Sequence, residues 1–305
     1  MNYPISTYVD DSGRKFHYVF IRKKRSQDLV VHFTAFFGDW GDRKEYKKNY
    51  QGYFHRLRML KDSRHNTLFL CDQFGATNNG TYYTGEKGDF FVERAMIRII
   101  ESILAEFSIS PGKTITIGSS MGAYAALKFG LIFKTKAIFA ISPHIDLDIC
   151  AAKQGRELHV AFIVPDGDPY SPSNFQFTRQ IASLLDNWNQ GSLPTLFMHS
   201  CKDDAGVHSE QVIPLINKWR NMGGVVYFDE REFGGHGSDY CTRPVILNAL
   251  EKLFKDRPID PTIYQRKRKY QPESERILIP KVIAKIKNIL RPIKHFLLRR
   301  KPTTS

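Results

Sequence analysis

Two periodicities alternate along this chain. Short apolar, β-branched runs recur at 29–34, 67–71, 114–118, 137–141, 194–199 and 224–229, and they read as strands. Between them lie longer stretches near 43–60, 90–107, 121–132, 174–188, 208–222 and 241–255, with apolar positions three and four apart, the spacing of a helix that buries one face. Two earlier runs, 3–9 and 15–22, read as an initial strand pair. Strands alternating with helices predict an α/β fold with a mostly parallel central sheet covered by helices on both faces. The segment 144–192 breaks this rhythm. It is short enough for a small cap insertion over a site, its centre Pro165-Asp166-Gly167-Asp168-Pro169 reads as a loop that shapes access, and 159–164 is a candidate edge strand.

One strand ends in chemistry. The run Thr114-Ile115-Thr116-Ile117 leads into Gly118-Ser119-Ser120-Met121-Gly122, and a small-residue helical pattern follows from Ala123. Strand, G-x-S-x-G and helix together are the setting of a nucleophile elbow, where a sharp turn lifts a serine Oγ clear of the sheet. The plainer alternative is a helix start with Ser119 or Ser120 as its cap. What favours chemistry is the chain order Ser, acid, His that this architecture uses, each group on a loop after a strand. The strand 194–199 empties into Ser200-Cys201-Lys202-Asp203-Asp204, and the run 224–228 is followed by Phe233-Gly234-Gly235-His236-Gly237-Ser238.

A serine hydroxyl is a weak nucleophile at neutral pH and needs an imidazole to take its proton, with a carboxylate to hold the imidazole tautomer. Ser120 is therefore expected as nucleophile, His236 as general base and Asp203 as the orienting acid. Asp204, adjacent on the same loop, is the rival for the acid role. The oxyanion hole calls for the backbone N–H of Met121 and a second N–H from the loop after the strand 28–34. Phe36 is the expected second donor and Phe37 the alternative; the aromatics of that loop could equally line an acyl pocket or pack in the core.

With 305 residues, 42% hydrophobic and 13% aromatic, the chain can bury the core of one enzyme-sized domain, expected over 1–256. Cys71, Cys150, Cys201 and Cys241 form no C-x-x-C pair and no metal-ligand spacing, so no metal is expected. No apolar signal core and no membrane-spanning run is seen, and a cytoplasmic setting is the expectation.

The net charge of +14 is concentrated in the remaining segment. Residues 257–305 carry 14 Lys/Arg and 3 acids, a net +11, and leave the preceding body nearly neutral. Within the segment Ile279, Val282, Ile283, Ile286, Leu290, Ile293 and Leu297 share one helical face, with Pro292 as a kink. A basic amphipathic tail of this kind predicts peripheral attachment to the anionic inner face of a membrane. Docking on a partner or on its own body is the alternative, and nucleic acid is disfavoured because no groove- or base-reading motif is present.

The set Cys71-Asp72-Gln73-Phe74-Gly75, Tyr82-Tyr83-x-Gly85, Gly118 to Leu127 and Gly235-His236-Gly237 resembles bacterial α/β-hydrolase-fold proteins of capsular polysaccharide biosynthesis. It is similar, more distantly, to the acetyltransferase-like accessory secretion proteins of Gram-positive bacteria. The resemblance spans roughly 28–255 and leaves the tail outside. It implies a serine O-acetyltransferase acting on a capsular or other surface polysaccharide, with acetyl-CoA as acyl donor, no bound cofactor, and Ser120, Asp203 and His236 in the triad positions. An esterase or deacetylase of the same fold and a non-catalytic capsule-assembly protein are the alternatives.

Overall fold

Valine, isoleucine and phenylalanine fill the central runs because those strands are covered on both sides, as parallel strands are. The computed structural model describes residues 3–36, 54, 56–76, 78, 80–189, 191–237 and 239–262. Among them, β1 (Ser6–Val9), β2 (Lys15–Ile21), β3 (Leu29–Phe33), β4 (Asn66–Leu70), β5 (Thr114–Ser119), β6 (Ala137–Ile141), β7 (Thr195–Cys201) and β8 (Val226–Arg231) form one sheet in the order β1-β2-β4-β3-β5-β6-β7-β8. The first two strands pair antiparallel and β2 lies antiparallel to β4; every other pairing is parallel. All eight predicted strands are present.

Side chains of the strands alternate between two cores. Leu29, Val31 and Phe33 face one layer, built on α2 (Phe91–Glu106) and α3 (Met121–Ile132), while Val30, Ile115, Ile117 and Phe139 face the other. That second layer holds α1 (Leu57–Leu60) and α9 (Arg243–Phe254). Most of the helix expected at 43–60 lies outside the described residues, and so does the tail from 263, on which the membrane expectation rests.

The insertion after β6 folds as short helices. These are α4 (Leu147–Lys153), α5 (Glu157–Ala161), α6 (Phe175–Thr178) and α7 (Gln180–Asp186). The edge strand expected at 159–164 does not form. The His159 and Val160 amides both donate to the Arg156 carbonyl, and the Ile163 amide donates to that of Val160, so local turns consume the groups a strand would offer. The helix expected over 174–188 is likewise broken at Arg179. Beyond β7 a π-helical turn, His208–Val212, runs into α8 (Ile213–Asn221).

Registers align the carboxyl ends of the central strands. Phe33 lies opposite Gly118, Ser119 opposite Ile141, Ile141 opposite His199, and His199 opposite Asp229. Loops leaving these ends share one rim of the sheet, the usual location of a site in an open α/β fold.

Candidate active site

Ser120 turns β5 into α3 with φ 52° and ψ −123°. A non-glycine residue in this region stores about 1–3 kcal/mol of strain, so neighbours must over-determine the turn. The Ser120 amide donates to the Ile141 carbonyl at 2.9 Å, and its carbonyl accepts from the Ala123 and Tyr124 amides at 3.0 and 3.1 Å. Both motif glycines are forced by close approach. A Cβ on Gly118 would stand 2.0 Å from the Gly122 carbonyl oxygen, and one on Gly122 would stand 2.3 Å from that of Phe33.

The Ser120 Oγ lies 2.8 Å from His236 Nε2, and His236 Nδ1 lies 2.9 Å from an Asp204 carboxylate oxygen. Asp204 is buried and Asp203 is exposed. The acid facing His236 is thus Asp204, not the expected Asp203. Asp203 instead accepts the Gly234 and Gly235 amides at 3.0 and 2.8 Å, holding the backbone of the histidine loop. The physical reason is the turn after β7: the Asp204 amide donates to the Cys201 carbonyl, and Asp204 then begins a tight turn whose carbonyl accepts from Val207 and His208. Consecutive residues on such a turn project in different directions, which spacing along a sequence does not resolve. Ser142, at the end of β6, donates through Oγ to the Gly237 carbonyl at 3.1 Å and secures the other side of the same loop.

Met121 opens α3, so its amide belongs to the first turn, where no intrahelical carbonyl reaches. Phe36 follows β3 by three residues, in the loop pressed against that turn through the contact of Phe33 with Gly122. The half-buried Phe36 ring meets His159 edge-on at 4.4 Å, with the Arg156 guanidinium 4.5 Å above it. Phe37 lies outside the described residues.

Four residues that periodicity did not single out as functional, Asp72, Tyr82, His144 and Arg156, complete the surroundings. The loop carrying Tyr82 and Tyr83 packs on Met121, since a Cβ on Gly80 would meet the Met121 sulfur at 2.4 Å. The buried Asp72 carboxylate braces this loop by accepting the Thr81 hydroxyl and the Tyr83 amide at 2.9 and 2.8 Å, while burial raises its own pKa against those bonds. Tyr82 Oη is 2.9 Å from His144 Nδ1, and the His144 ring stacks on His236 at 4.7 Å between centroids and 16° between planes. Burial first, then the neighbouring charges of His236 and Arg156, holds the His144 pKa well below the ordinary histidine value, so this ring is neutral. Arg156 is the fourth residue.

Behind the histidine loop lies a buried polar cluster. His199 Nδ1 meets Asp229 at 2.8 Å, Arg231 Nε meets the other Asp229 oxygen at 2.8 Å, and Cys201 Sγ is 4.0 Å from His199 Nε2. His199, Asp229 and Cys241 place three potential metal-ligand atoms within 4.8 Å of one another. Asp229 is already engaged by both His199 and Arg231, so the group reads as an ion-paired core. Arg56, also buried, donates to Ser119 Oγ at 2.9 Å directly under the elbow.

An open, mostly parallel sheet with a serine on a strained strand-to-helix turn and a histidine after the last strand is the α/β-hydrolase fold. The comparisons agree with this class. A capsule O-acetyltransferase of Neisseria meningitidis serogroup A superposes with a TM-score of 0.58 at 16% identity, over 86% of this chain and 95% of that one. The chain is 29% identical over 181 residues to an acetyl esterase of Caldicellulosiruptor saccharolyticus, covering 56% of this chain and 66% of the esterase. It is 24% identical over 146 residues to an accessory Sec system protein of Staphylococcus aureus, covering 48% of this chain and 25% of that protein. The chain spans no more than 66% of the length of these two relatives. No protein-family model matches it.

Proposed function

We propose that this protein is a serine-dependent O-acyltransferase that passes an acetyl group through an acyl-Ser120 intermediate to a hydroxyl of a surface polysaccharide. The observation that carries the proposal is the continuous chain from Ser120 Oγ to His236 Nε2 and from His236 Nδ1 to the buried Asp204. In the first half-reaction Ser120 Oγ attacks the acyl carbonyl while His236 Nε2 takes its proton, and Asp204 stabilises the imidazolium. The oxyanion draws on the Met121 amide and on an amide of the 34–36 loop, with Phe36 as our assignment. Collapse breaks the bond to the leaving group, which receives the proton from His236. In the second half a sugar hydroxyl gives its proton to His236 as its oxygen attacks the acyl-serine, and Ser120 is restored.

Support for transfer comes from the likeness to the capsule O-acetyltransferase, one structure of which is in complex with CoA. Acetyl-CoA is the donor this favours. A second reading, hydrolysis with water replacing the sugar, is favoured by the acetyl esterase relative. Incubating the protein with acetyl-CoA, with and without capsular polymers, and measuring acetyl incorporation by NMR separates the two. Ser120→Ala should abolish both reactions, by about a millionfold in turnover. Labelling by a fluorophosphonate anywhere but Ser120 would sink the assignment. No helix among the described residues is long and apolar enough to cross a membrane. We assign the basic segment 257–305 to attachment at an anionic membrane surface, suited to work on a lipid-linked polymer.

A further inference from the structure

The cap insertion contributes one cation to the neighbourhood of His236. Arg156 immediately precedes α5, and its guanidinium lies over Phe36, whose loop runs beside the elbow. The other arginines of the insertion and of the sheet rim have carboxylate partners: Arg179 meets Asp148 at 2.6 Å and Arg231 meets Asp229 at 2.8 Å. Among the described residues no carboxylate lies within ion-pair distance of Arg156, and its Nε is shielded from solvent with no hydrogen-bond partner. Its charge nonetheless acts on both His144, which stacks on His236, and Tyr82, which is hydrogen-bonded to His144. Shielding a guanidinium donor without a counter-charge is costly, and stacking on an aromatic ring offsets only part of that. The planar fork of donors suits a carboxylate or a phosphate in particular.

We propose that Arg156 binds an oxyanion of the substrate, a phosphate or a carboxylate, so that this site selects a negatively charged donor or acceptor over a neutral one of the same shape. The proposal rests on the acyl-transfer reading for what the site does, and on Arg156 alone for what it prefers. The anion has two possible sources, the phosphates of a CoA thioester or an acidic sugar of the acceptor. Each bond formed replaces water on both partners, so selectivity arises because only the charged ligand supplies the missing counter-ion to Arg156.

Equilibrium binding tests this without requiring turnover. Calorimetry of the full-length protein with CoA against pantetheine probes the donor, and with oligogalacturonate against a neutral maltohexaose probes the acceptor. The expected result is that the protein prefers the charged member of one pair, and that Arg156→Gln cuts this preference about tenfold or more while Arg156→Lys, which keeps the charge and loses the fork, cuts it less. Loss in the first pair assigns the anion to the donor and loss in the second to the acceptor. A preference unchanged in Arg156→Gln, with thermal melting showing that the variant is folded, overturns the proposal, as does the absence of any preference in the unaltered protein. Fluorophosphonate labelling of Ser120 in the same samples reports separately on the catalytic reading.

Discussion

Replacing each of the two neighbouring aspartates by asparagine should divide their roles. In Asp204→Asn the amide keeps the volume of the carboxylate but offers His236 Nδ1 either an oxygen without charge or an NH2 donor. The NH2 rotamer forces the proton onto Nε2, the nitrogen 2.8 Å from Ser120 Oγ that must be free to accept. In a serine protease the equivalent change costs about ten thousandfold in kcat, and a loss of that order is expected here because Asp204 is buried and has no water to replace it. Asp203→Asn is different. Its two oxygens accept the Gly234 and Gly235 amides, and an asparagine keeps one acceptor and loses the other. A hydrogen bond to a charged group contributes about 1.5–3 kcal/mol. Because Asp203 is exposed and water can substitute, the lower end applies, so a loss of about tenfold or less is expected. Pre-steady-state acylation by p-nitrophenyl acetate, with circular dichroism as a check on folding, measures both. Equal losses in the two variants, or a larger loss in Asp203→Asn, would refute the division.

Three further outcomes are expected. Gly122→Ala drives a methyl into the Phe33 carbonyl, overpacking that costs about 1–3 kcal/mol; a lower melting temperature and slower fluorophosphonate labelling should appear together, and normal labelling would show that the elbow tolerates the side chain. Because the native His144 pKa is held well below 6.5, chiefly by burial, the unfolded chain binds this proton first as pH falls; its contribution is full above about pH 6.5 and declines below it by about 1.4 kcal/mol per pH unit until the native pKa is reached. Denaturant titrations of the unaltered protein and His144→Gln should therefore converge in acid, and parallel curves would count against a neutral His144. The protein truncated after Asp256 should lose sedimentation with anionic vesicles, and binding of the full chain should weaken with salt, since each basic residue near such a surface contributes about 1 kcal/mol; equal sedimentation of the two would assign the tail to a protein partner.

The central strand runs were legible because parallel strands buried on both faces are largely apolar, α2 because it presents a wide apolar face, and α3 because its small and apolar residues are buried nearly all round. Gly118 to Gly122 marked the elbow since only glycine fits where carbonyls approach that closely. The insertion after β6 was less legible. Val160, Ile163 and Val164 are all buried, and an apolar run this short fits either a strand or turns that bury the same side chains. The acid was misassigned between neighbours because turn geometry, not spacing, decides which carboxylate faces inward. His144 carried no signal at all beyond its position three residues after β6, since stacking on His236 joins residues far apart in sequence. Tyr82 and Tyr83 were visible only as part of the family resemblance; the physical signal beneath it is an aromatic pair between Gly80 and Gly85, a loop with unusual backbone angles in which both tyrosines adopt positive φ, 54° and 55°.

The division of labour between Asp203 and Asp204 has a mechanical consequence. One carboxylate grips the peptide backbone that carries His236 and its neighbour grips the ring, while Ser142 clasps the far side of the same glycine segment. The loops after β6, β7 and β8 are thereby stitched together through three side chains, and the base cannot swing away from the serine without tearing the stitching. Gly234, which would otherwise make the segment supple, serves instead to let the chain lie flat against Cys201 and Tyr240. Any opening that admits a bulky ligand must then come from the cap side of the rim, with Ser120, His236 and Asp204 standing still while it enters.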